Sequence, residues 1–410
     1  MGPLAALKHR DFRLFWLGQA VSLIGTWTQT VAQSWLVLDM TKSPFLLGCQ
    51  TMAQYGPVFG LSLFAGCLAD RFPKRRLLIV VQSTMCVLAF ALGILTLVGQ
   101  VSYLHIIIFS LLLGIATAFD TPARHSLVTE MVGKEDVVGA VSLNTSILNL
   151  ARIVGPAVAG LVIGAFGPGV AFLLNGASYI PVIVALTLMG DHGPKTQHPP
   201  YPMMSRMISE IREGFAYVDK KPAMSLAVVS ATTTSVFLFN YHVLIPVLAR
   251  EVLGGSATAT GFLMSSMGLG ALCGAFFGSY VNRNGPSLRV IALGILGLSL
   301  ASVVTAVLTY PSALSTIAMG AYGASGIIVM NTVNSLLQIN SPDYLRGRVM
   351  GIYSLITRGS PFLGGLFAGA ICDALGARWG FAISGMIGFV YSVALAGWAG
   401  LRAHAVRRAA

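Results

Sequence analysis

Charged residues are scarce in this sequence, and their scarcity limits the structural classes to which the protein can belong. They make up 10% of the 410 residues, whereas a typical soluble domain has about 25%. Hydrophobic residues make up 55%, and many lie in continuous apolar runs of the ~20 residues that a membrane-spanning helix needs. A membrane barrel would instead show segments of about ten residues that alternate in polarity. The composition excludes an ordinary soluble domain and predicts an all-α membrane protein.

Motifs of enzymes and of metal proteins are also absent. The five cysteines are scattered, with no CxxC pair and no Cys/His spacing, so we expect neither a disulfide framework nor a metal site. The phosphate-binding pattern GxxxxGK[ST] does not occur, which leaves ATP hydrolysis without support. No nucleophile stands at a recognisable spacing from a base. We therefore expect no enzyme activity and no cofactor.

Twelve apolar runs are long enough to span a bilayer. Their boundaries are accurate to a few residues. They occupy residues 12–38, 44–69, 75–99, 102–122, 136–165, 169–190, 223–249, 257–281, 287–309, 312–337, 347–372 and 378–401.

The net charge of +12 is distributed unevenly between alternate connections. Lysines and arginines precede the first run and follow every even-numbered run, whereas the opposite side receives only Lys42, Arg250 and Arg378. Such a bias in short loops places the basic side in the cytoplasm. We expect a multi-pass membrane protein, surrounded by lipid, with both termini cytoplasmic. Topology explains the basic excess, so nucleic acid is not an expected partner.

Two parts of the sequence repeat each other. The turn after the second run begins at Gly66, carries Asp70 and ends in basic residues. A weaker copy begins 212 residues later at Gly278, with Asn282 at the position of Asp70. The repeat predicts two pseudo-symmetric six-helix bundles, an arrangement typical of transporters that bind substrate near the membrane midplane. The expected parts are residues 1–190, a cytoplasmic linker at 191–222, and residues 223–410.

The linker opens with prolines that exclude a regular helix and then becomes amphipathic. Apolar residues recur at helical spacing from Met203 to Asp219, with charged residues elsewhere on the wheel. This pattern predicts a helix at the cytoplasmic membrane interface. It is either a covalent strap between the halves or a regulatory or partner-binding helix.

Three segments carry a family resemblance. The loop after the second run has glycine, acidic and basic residues at the spacing of a family motif: Gly66, Leu68, Ala69, Asp70, Arg71, Lys74 and Arg75. The fifth run contains a second motif: Arg152, Gly155, Pro156 and Gly160. The third segment is Asp120–Val132. Over nearly its whole length the chain resembles the major facilitator superfamily (MFS), and within it the enterobactin-exporter-like and macrolide-efflux-like branch. The resemblance implies twelve transmembrane helices in the MFS fold and a place in the bacterial cytoplasmic (inner) membrane.

The loop motif has a role that this resemblance implies. In the family the aspartate, here Asp70, locks the cytoplasmic side closed against the eleventh helix of the other half. Four more residues complete this conformational latch: Gly66, Arg71, Lys74 and Arg75. A carboxylate at a helix end is stabilised by about 0.3–1 kcal/mol on a neighbouring helix N-terminus. The alternative is a basic loop that only sets topology. Because Asn282 lacks the charge, the lock is expected on the first copy alone.

The fifth-run motif predicts a helix that kinks and packs closely. Pro156 removes a backbone hydrogen bond, while Gly155 and Gly160 offer a smooth face to a partner helix. The resemblance to exporters implies that this helix-packing motif occludes the bundle against leak. A role in packing alone is the alternative.

Two arginines lie inside apolar runs. Arg152 is in the fifth run and Arg358 in the eleventh, each shortly before a proline. Such a charge costs about 2.5–3.5 kcal/mol at a helix centre unless it faces water or a partner. Both are therefore candidate contacts for an anionic substrate. The alternative is a structural pair, for which Asp120 and Asn149 are available.

Other polar side chains within the runs are candidate substrate contacts. They are amides and one tyrosine: Gln29, Gln33, Gln54, Tyr55, Asn144, Asn149, Asn240, Asn331 and Asn334. Hydrogen bonds between neighbouring helices are the competing use of such groups. Amides, aromatic rings and two arginines suit a bulky amphipathic or anionic solute.

Titratable residues near membrane depth are few. Asp39 ends the first run, Asp120 ends the fourth, and His242 lies in the seventh. These three are the candidates for proton coupling, because carboxylates and histidine can exchange a proton. For Asp120 the alternative is an ion pair with Arg71 or Arg124.

Three classes of function remain open. The first is a secondary active transporter that exports a small amphipathic or anionic molecule, siderophore-like or drug-like, by alternating access, with or without proton coupling. The second is an importer of a small metabolite or siderophore with the same fold. The third is a non-transporting membrane receptor or enzyme. We expect a small-molecule substrate and a monomer.

Overall fold

The structure is a computed structural model that describes residues 3–133, 135–190, 204–252, 254–307 and 313–409. Side chains are described in these ranges except at 3–4, 62–63, 66–71, 204–211 and 400–409. Every regular element in the described ranges is a helix. The chain divides into two compact units.

The first unit comprises Met1–Tyr201 and Ser256–Ser265. A 3-10 turn at Pro3–Lys8 leads into six helices: α1 (Arg10–Thr41), α2 (Pro44–Arg71), α3 (Lys74–Leu97), α4 (Tyr103–Glu130), α5 (Val137–Phe166) and α6 (Pro168–Leu188). Helix α1 packs against α5 and α6, α2 against α4, and α3 against α4 and α6. The 3-10 turn packs against α5, and next to it His9 Nε2 lies 3.0 Å from Asp136 Oδ2.

The second unit comprises Pro202–Gly255 and Ser266–Ala410. Its helices are α7 (Met204–Asp219), α8 (Pro222–Thr233), α9 (Tyr241–Glu251), α10 (Ala257–Val281), α11 (Leu288–Val307), α12 (Ala313–Asn340), α13 (Asp343–Gly359), α14 (Pro361–Leu375) and α15 (Ala377–Ala409). The beginning of α10, up to Ser265, belongs to the first unit. Helix α11 packs against α12 and α15. The boundaries at 190 and 222 expected from the sequence stay predictions.

Ten segments of the described chain are long and apolar enough to cross a membrane. Two of them are interrupted helices: Pro222–Glu251 holds α8 and α9, and Asp343–Leu375 holds α13 and α14. Helix α1 is not among the ten, because Gln19, Gln29 and Gln33 lower its hydropathy. The seventh and eleventh runs are therefore broken where the sequence predicted continuous helices, and the total of twelve spans stays a prediction.

The two halves share a turn that depends on glycine. Gly167 follows α5 with φ 80°, and Gly376 follows α14 with φ 89°. Residues with a side chain rarely adopt these angles. Each turn lets the next helix begin at the following residue, Pro168 for α6 and Ala377 for α15. The repeat seen in the sequence therefore extends to backbone conformation.

A cluster of buried apolar side chains joins four helices of the first unit. Phe12 and Phe15 of α1 meet Leu78 of α3, Leu127 of α4 and Leu186 of α6, and all five are at most 2% exposed. This core fixes the neighbouring ends of the four helices and thereby the polar groups that they carry.

The amphipathic helix predicted in the linker is α7, and it is docked on the second unit. A Cβ added at Gly214 would lie 3.1 Å from Ile352 Cδ1 of α13. Tyr217 donates its hydroxyl proton to the carbonyl oxygen of Asn340, the last residue of α12, at 3.0 Å. Glu213 forms an ion pair with Arg348 of α13. Helix α7 is thus held at the junction of α12 and α13.

Candidate functional site

A stripe of polar side chains follows one face of α1. Gln19, Ser22, Thr26, Gln29 and Gln33 succeed each other at steps of three or four residues, and all except the half-buried Thr26 are buried. Buried polar groups need hydrogen-bond partners, because an unsatisfied one costs free energy. The stripe therefore marks where polar groups of other helices in the first unit converge.

One end of the stripe joins α2 and α4 through a serine. Gln33 Nε2 donates to Ser110 Oγ at 2.6 Å, and Gln50 Nε2 donates to the same oxygen at 3.1 Å. Gln50 Nε2 also donates to Gln54 Oε1 at 3.0 Å. The structure thus brings the predicted residues Gln33 and Gln54 into one network. Tyr55, the next residue after Gln54, is half-buried.

The middle of the stripe is bonded to α6. Asn175 Nδ2 donates to Gln29 Oε1 at 2.6 Å and lies 3.4 Å from the hydroxyl oxygen of Tyr179. Thr26 Oγ1 lies 3.4 Å from that same hydroxyl oxygen. Asn175 and Tyr179 are 1% and 2% exposed. Gln29, a predicted substrate contact, is therefore occupied with a bond between helices.

Asp120 forms the acidic centre of the first unit. It is 2% exposed, it accepts a hydrogen bond from Gln82 Nε2 at 2.7 Å, and it forms an ion pair with Arg124 one turn later. Of the two partners predicted for this carboxylate, Arg124 is the one that the structure describes. The side chain of Arg71 lies outside the described part of the chain.

Arg152 lies over an aromatic ring of α1. Its guanidinium carbon is 5.7 Å from the centroid of the Trp27 ring, within the range of a cation–π contact. The side chain is half-buried and has no ion pair within the described residues. Asp120 is not its partner, since that carboxylate is bonded to Arg124 and Gln82.

Helix α5 is contacted closely around its proline. Hydroxyl groups of α1 and α10 donate to its carbonyl oxygens: Thr28 to Gly155 at 3.1 Å, Ser265 to Ile153 at 2.6 Å, and Thr258 to Gly160 at 3.2 Å. A Cβ added at Gly160 would lie 3.0 Å from Thr258 Cα. These bonds join carbonyl oxygens on both sides of Pro156 to the neighbouring helices. The motif residues thus make a close helix contact within the first unit, and occlusion against leak stays a prediction.

In the second unit, Tyr353 connects two of the predicted site residues. Its hydroxyl donates to the carbonyl oxygen of Met330 at 3.0 Å and also interacts with the side chain of Asn334 and with the charge of Arg358. Arg358 and Asn331 are exposed in this unit. The structure therefore groups Arg358 and Asn334, with Asn331 one turn earlier on α12.

Asn240 holds the break in the seventh span. A π-helical turn at Thr234–Leu238 separates α8 from the break, and Asn240 Nδ2 donates to the carbonyl oxygen of Val236 at 2.7 Å. Asn240 is 4% exposed, and a Cβ added at Gly364 of α14 would overlap its side-chain oxygen. Such π turns are frequent at functional sites. Here the side-chain amide of Asn240 stabilises the break through its hydrogen bond to Val236.

Aromatic rings surround the same break. Phe239 stacks on Tyr322 with centroids 5.4 Å apart and meets Tyr241 edge-on at 5.1 Å. The ring of His242, the third proton-coupling candidate, lies 4.0 Å from that of Tyr241 and is half-buried. Tyr322 donates its hydroxyl proton to the carbonyl oxygen of Leu238 at 2.5 Å. This part of the second unit offers ring faces rather than carboxylates.

The basic half of the loop motif is bonded within the first unit. Lys74 is 3% exposed and forms an ion pair with Glu130 at the end of α4. Arg75 donates from Nε to the carbonyl oxygen of Leu186 at 2.6 Å and from Nη2 to that of Thr187 at 2.8 Å. A cation that donates to carbonyl oxygens at a helix end stabilises that end. Lys74 and Arg75 thus join α3 to α4 and α6.

The first part of the loop motif contains its aspartate. Gly66, Asp70 and Arg71 fall at the end of α2, where the side chains lie outside the described part of the chain. In the second copy, Asn282 Nδ2 donates to Thr332 Oγ1 of α12 at 2.8 Å. The second copy is therefore fastened by a neutral hydrogen bond.

Three predicted residues stand apart from these networks. Asp39 lies 3.1 Å from Lys42 in a pair whose side chains are 60% and 66% exposed. Asn144 is 5% exposed and Asn149 is half-buried, and no hydrogen bond joins either side chain to the polar network of the described residues. Within those residues, no group of three His, Cys, Asp or Glu could hold a metal ion.

Sequence reasoning missed several polar residues that the structure places in these networks. Asn175, Ser178 and Tyr179 lie three and four residues apart, a spacing that puts them on one face of α6. That spacing could have identified them. Gln82 and Tyr353 lie beside other polar residues within apolar runs, and no spacing signals their partners.

Comparison with known proteins agrees with this arrangement. A family model described as transmembrane secretion effector matches residues 1–405. The staphyloferrin A transporter of Staphylococcus aureus is 25% identical over 91% of this chain and 92% of its own length. The multidrug efflux pump Tap of Mycolicibacterium fortuitum is 24% identical over 84% and 85%. The enterobactin exporter EntS of Shigella flexneri is 23% identical over 94% and 92%.

A solved structure shows the same fold. The crystal structure of the nucleoside transporter NupG superimposes with a TM-score of 0.78 at 12% identity, covering 95% of this chain and 98% of that one.

Proposed function

Because the chain belongs to the transmembrane secretion effector family of the major facilitator superfamily, we propose that it exports a small amphipathic or anionic molecule by alternating access. Its family makes it a membrane transporter and not an enzyme. The names of its relatives, a staphyloferrin A transporter, a multidrug efflux pump and an enterobactin exporter, support export of siderophore-like or drug-like solutes.

The observation that carries the proposed substrate class is the pair of Arg152 and Trp27. A half-buried guanidinium without an ion pair among the described residues has charge to offer to a ligand. The ring beside it offers apolar surface to the same ligand. In the second unit, Arg358 stands with Tyr353 and Asn334, which gives that unit a cation, a hydroxyl and an amide.

Replacing the arginine tests this proposal. In proteoliposomes, Arg152→Ala should fold and yet lose transport of enterobactin or of staphyloferrin A. A hydrogen bond to a charged group is worth about 1.5–3 kcal/mol, so apparent affinity should fall roughly 10- to 150-fold. Arg152→Lys should retain part of the activity, and Arg378→Ala, at an exposed arginine, is the control. Normal flux by Arg152→Ala would refute the role.

We propose Asp120 as the proton-coupling residue. Asp39 is exposed and paired with Lys42, and His242 lies against an aromatic ring. Asp120, by contrast, is a buried carboxylate on a spanning helix with a charged partner. Asp120→Asn should abolish the stimulation of flux by a pH gradient and keep exchange of substrate without a gradient. Asp39→Asn should keep both.

Direction and topology are part of the proposal. The alternative of an importer predicts that an inward pH gradient drives accumulation in right-side-out vesicles, whereas an exporter accumulates substrate in inverted ones. The basic connections support cytoplasmic termini, which labelling of single cysteines at both ends would check. We also propose a monomer, testable by the mass of the detergent-solubilised chain.

The latch at Gly66, Asp70, Arg71, Lys74 and Arg75 is likewise a proposal. Its support is the motif itself and the anchoring of Lys74 and Arg75 to α4 and α6. Asp70→Asn should increase the labelling of cysteines placed near the cytoplasmic ends of the spans. Unchanged labelling would contradict it.

A further inference from the structure

The interior of the first unit is enclosed by four helices, α1, α3, α4 and α6. Helix α6 packs against both α1 and α3, α3 packs against α4, and α4 also contacts α1. Apolar side chains of all four helices fill one level of this interior: Phe15, Leu78, Ala123 and Leu186. Because the four helices surround one space, the residues one turn further along them form the next level.

The next level is polar. On α1, Gln19 lies one turn after Phe15, and on α3, Gln82 lies one turn after Leu78. Helix α4 runs the other way, and on it Asp120 lies about one turn before the cluster residue. We call Gln19, Gln82 and Asp120 the polar level. They are 1%, 1% and 2% exposed, so three polar side chains share this buried interior.

Hydrogen bonds within the protein do not use all the polar atoms of this level. Gln82 Nε2 donates to Asp120 Oδ1 at 2.7 Å, and the other carboxylate oxygen is paired with Arg124. Gln82 Oε1 and both amide atoms of Gln19 have no hydrogen-bond partner among the described residues. A buried polar atom without a partner destabilises a fold, because its lost hydration is not replaced. The three atoms therefore call for a ligand that both donates and accepts.

We infer that the polar level binds water, which joins Gln19 of α1 to Gln82 of α3. Two acceptors, Gln19 Oε1 and Gln82 Oε1, and one donor, Gln19 Nε2, match the roughly three hydrogen bonds that a buried water molecule forms. A metal cation fits less well, because Gln19 Nε2 is a donor and Arg124 already balances the charge of Asp120.

The bound water decides which end of the Gln82 amide faces Asp120. When Oε1 accepts a hydrogen bond from water, Nε2 is left to donate to the carboxylate, and such donation favours the ionised acid. Without the water the amide can reverse, and Oε1 then favours the protonated acid. Gln19 and Gln82 are thus positioning residues for Asp120. This role rests on the proposed proton coupling at Asp120, whereas the binding of water does not.

Other charged and titratable groups on these four helices and on their neighbours have contacts of their own. Lys74 pairs with Glu130, Arg75 donates to carbonyl oxygens of α6, Cys86 Sγ donates to the carbonyl oxygen of Gly176 at 3.3 Å, Tyr179 is bonded to Asn175, Asp11 accepts from the backbone N–H of Gly190, Arg152 lies over Trp27, and His125 is exposed. The side chains of Asp70 and Arg71 lie outside the described part.

The first experiment is a double-mutant cycle measured by thermal unfolding of the full chain in detergent. Leucine removes the amide and is close to glutamine in volume. Gln19→Leu and Gln82→Leu should each lower Tm by several degrees, and the double variant should lose clearly less than the sum, because one water is lost only once. A rise of Tm in Gln19→Leu overturns the inference, since it shows an amide without a ligand. Additive losses overturn it as well.

Gln50→Leu is the matched control for this cycle. Gln50 is 3% exposed and bonded to Ser110, which lies ten residues, about 15 Å, before Asp120 on α4. Its loss should therefore add to that of Gln82→Leu. Gln19→Met replaces Gln19→Leu should the latter fail to fold.

The second experiment detects the water itself and separates it from a direct bond between Gln19 and Gln82. X-ray radiolysis turns bound water into hydroxyl radicals, which oxidise the side chains beside it. Phe15 is 2% exposed and should be oxidised several-fold faster in the parent than in Gln19→Leu. Phe172 of α6 is 0% exposed and should react slowly in both. Equally slow oxidation of Phe15 and Phe172 in the parent overturns the inference, and this comparison needs no variant.

The third experiment tests the positioning of Asp120 by infrared spectroscopy between pH 4 and 9, with no ligand present. The absorption band of a protonated carboxyl group that disappears in Asp120→Asn reports this residue. In Gln19→Leu the band should reach half of its intensity at a higher pH than in the parent. Tyr391→Phe, whose hydroxyl is bonded to Ser230 in the second unit at 2.9 Å, should keep the parent profile.

The outcomes keep this inference apart from the proposed coupling. If the parent shows no titrating band that depends on Asp120, the coupling at Asp120 fails, and the binding of water stands or falls with the first two experiments. If the band titrates identically in the parent and in Gln19→Leu, the positioning role fails and the coupling stands.

Discussion

The ion pair between Lys74 and Glu130 allows a sharp prediction about stability. The side chain of Lys74 is 4% exposed and that of Glu130 is 26% exposed. Lys74→Met keeps the length and the apolar stem of the side chain and leaves the carboxylate without its cation. Breaking a fully buried pair costs about 3–5 kcal/mol. Because Glu130 can recover part of its hydration, we expect Lys74→Met to lower the free energy of unfolding by about 2–3 kcal/mol.

This loss can be measured as a thermal shift. For a unit of about 200 residues, 1 kcal/mol lowers Tm by about 2–4 °C, so Lys74→Met should lower Tm by roughly 4–12 °C. The double variant Lys74→Met/Glu130→Gln should regain most of the loss, since it removes both charges. Tm can be measured in detergent by intrinsic fluorescence.

The exposed pair of Lys42 and Asp39 is the matched control. Its side chains are 66% and 60% exposed, and pairs of this kind contribute about 0–1 kcal/mol. Lys42→Met should therefore shift Tm by only a few degrees at most. The reasoning is refuted if Lys74→Met behaves like Lys42→Met, or if the double variant loses as much as the two single variants added together.

Three further predictions concern packing and anchoring. Gly114→Ala should destabilise the protein in thermal unfolding, because its Cβ would overlap the carbonyl oxygen of Gln54, whereas Gly60→Ala meets nothing within 4 Å and should be neutral. Asn282→Ala should lower stability by about 1 kcal/mol, equally at pH 5 and pH 8, because it removes a neutral hydrogen bond; a pH-dependent loss would contradict this. Tyr217→Phe removes a bond from α7 to α12, so limited proteolysis should cut α7 faster than in the parent, and an unchanged rate would show that the bond contributes nothing.

Much of the fold could be predicted from composition and repetition. Long apolar runs and the duplicated turn at Gly66 and Gly278 can be recognised from the local order of residues alone. The breaks at Asn240 and Ser360 could not be predicted in the same way, because a break depends on tertiary partners such as Gly364, which accommodates the Asn240 side chain.

Less of the candidate site than of the fold could be predicted from the sequence. A lone charge in an apolar run identified Arg152 and Asp120, because burying a charge is costly wherever it occurs. Arg124 was one of the two partners predicted for Asp120, whereas Trp27 and Gln82 were not identifiable, since they look like ordinary residues until helices pack together. Gln29 and Gln33 of α1 were predicted as ligand contacts, yet their side-chain amides form hydrogen bonds with other helices.

The docking of α7 has a counterpart at the start of the first unit. The 3-10 turn at Pro3–Lys8 precedes the first span and packs on α5, the fifth. Helix α7 precedes the seventh run and packs on α13, which begins the eleventh. Each contact is accompanied by a polar contact near the start of the helix that it touches: His9 Nε2 lies 3.0 Å from Asp136 Oδ2, and Glu213 forms an ion pair with Arg348. The segment ahead of each half thus contacts the fifth run of its own half, so the correspondence between the halves includes the residues that precede them. A split protein for co-expression should be cut ahead of Met204, so that each fragment keeps the segment that packs on the fifth run of its own half.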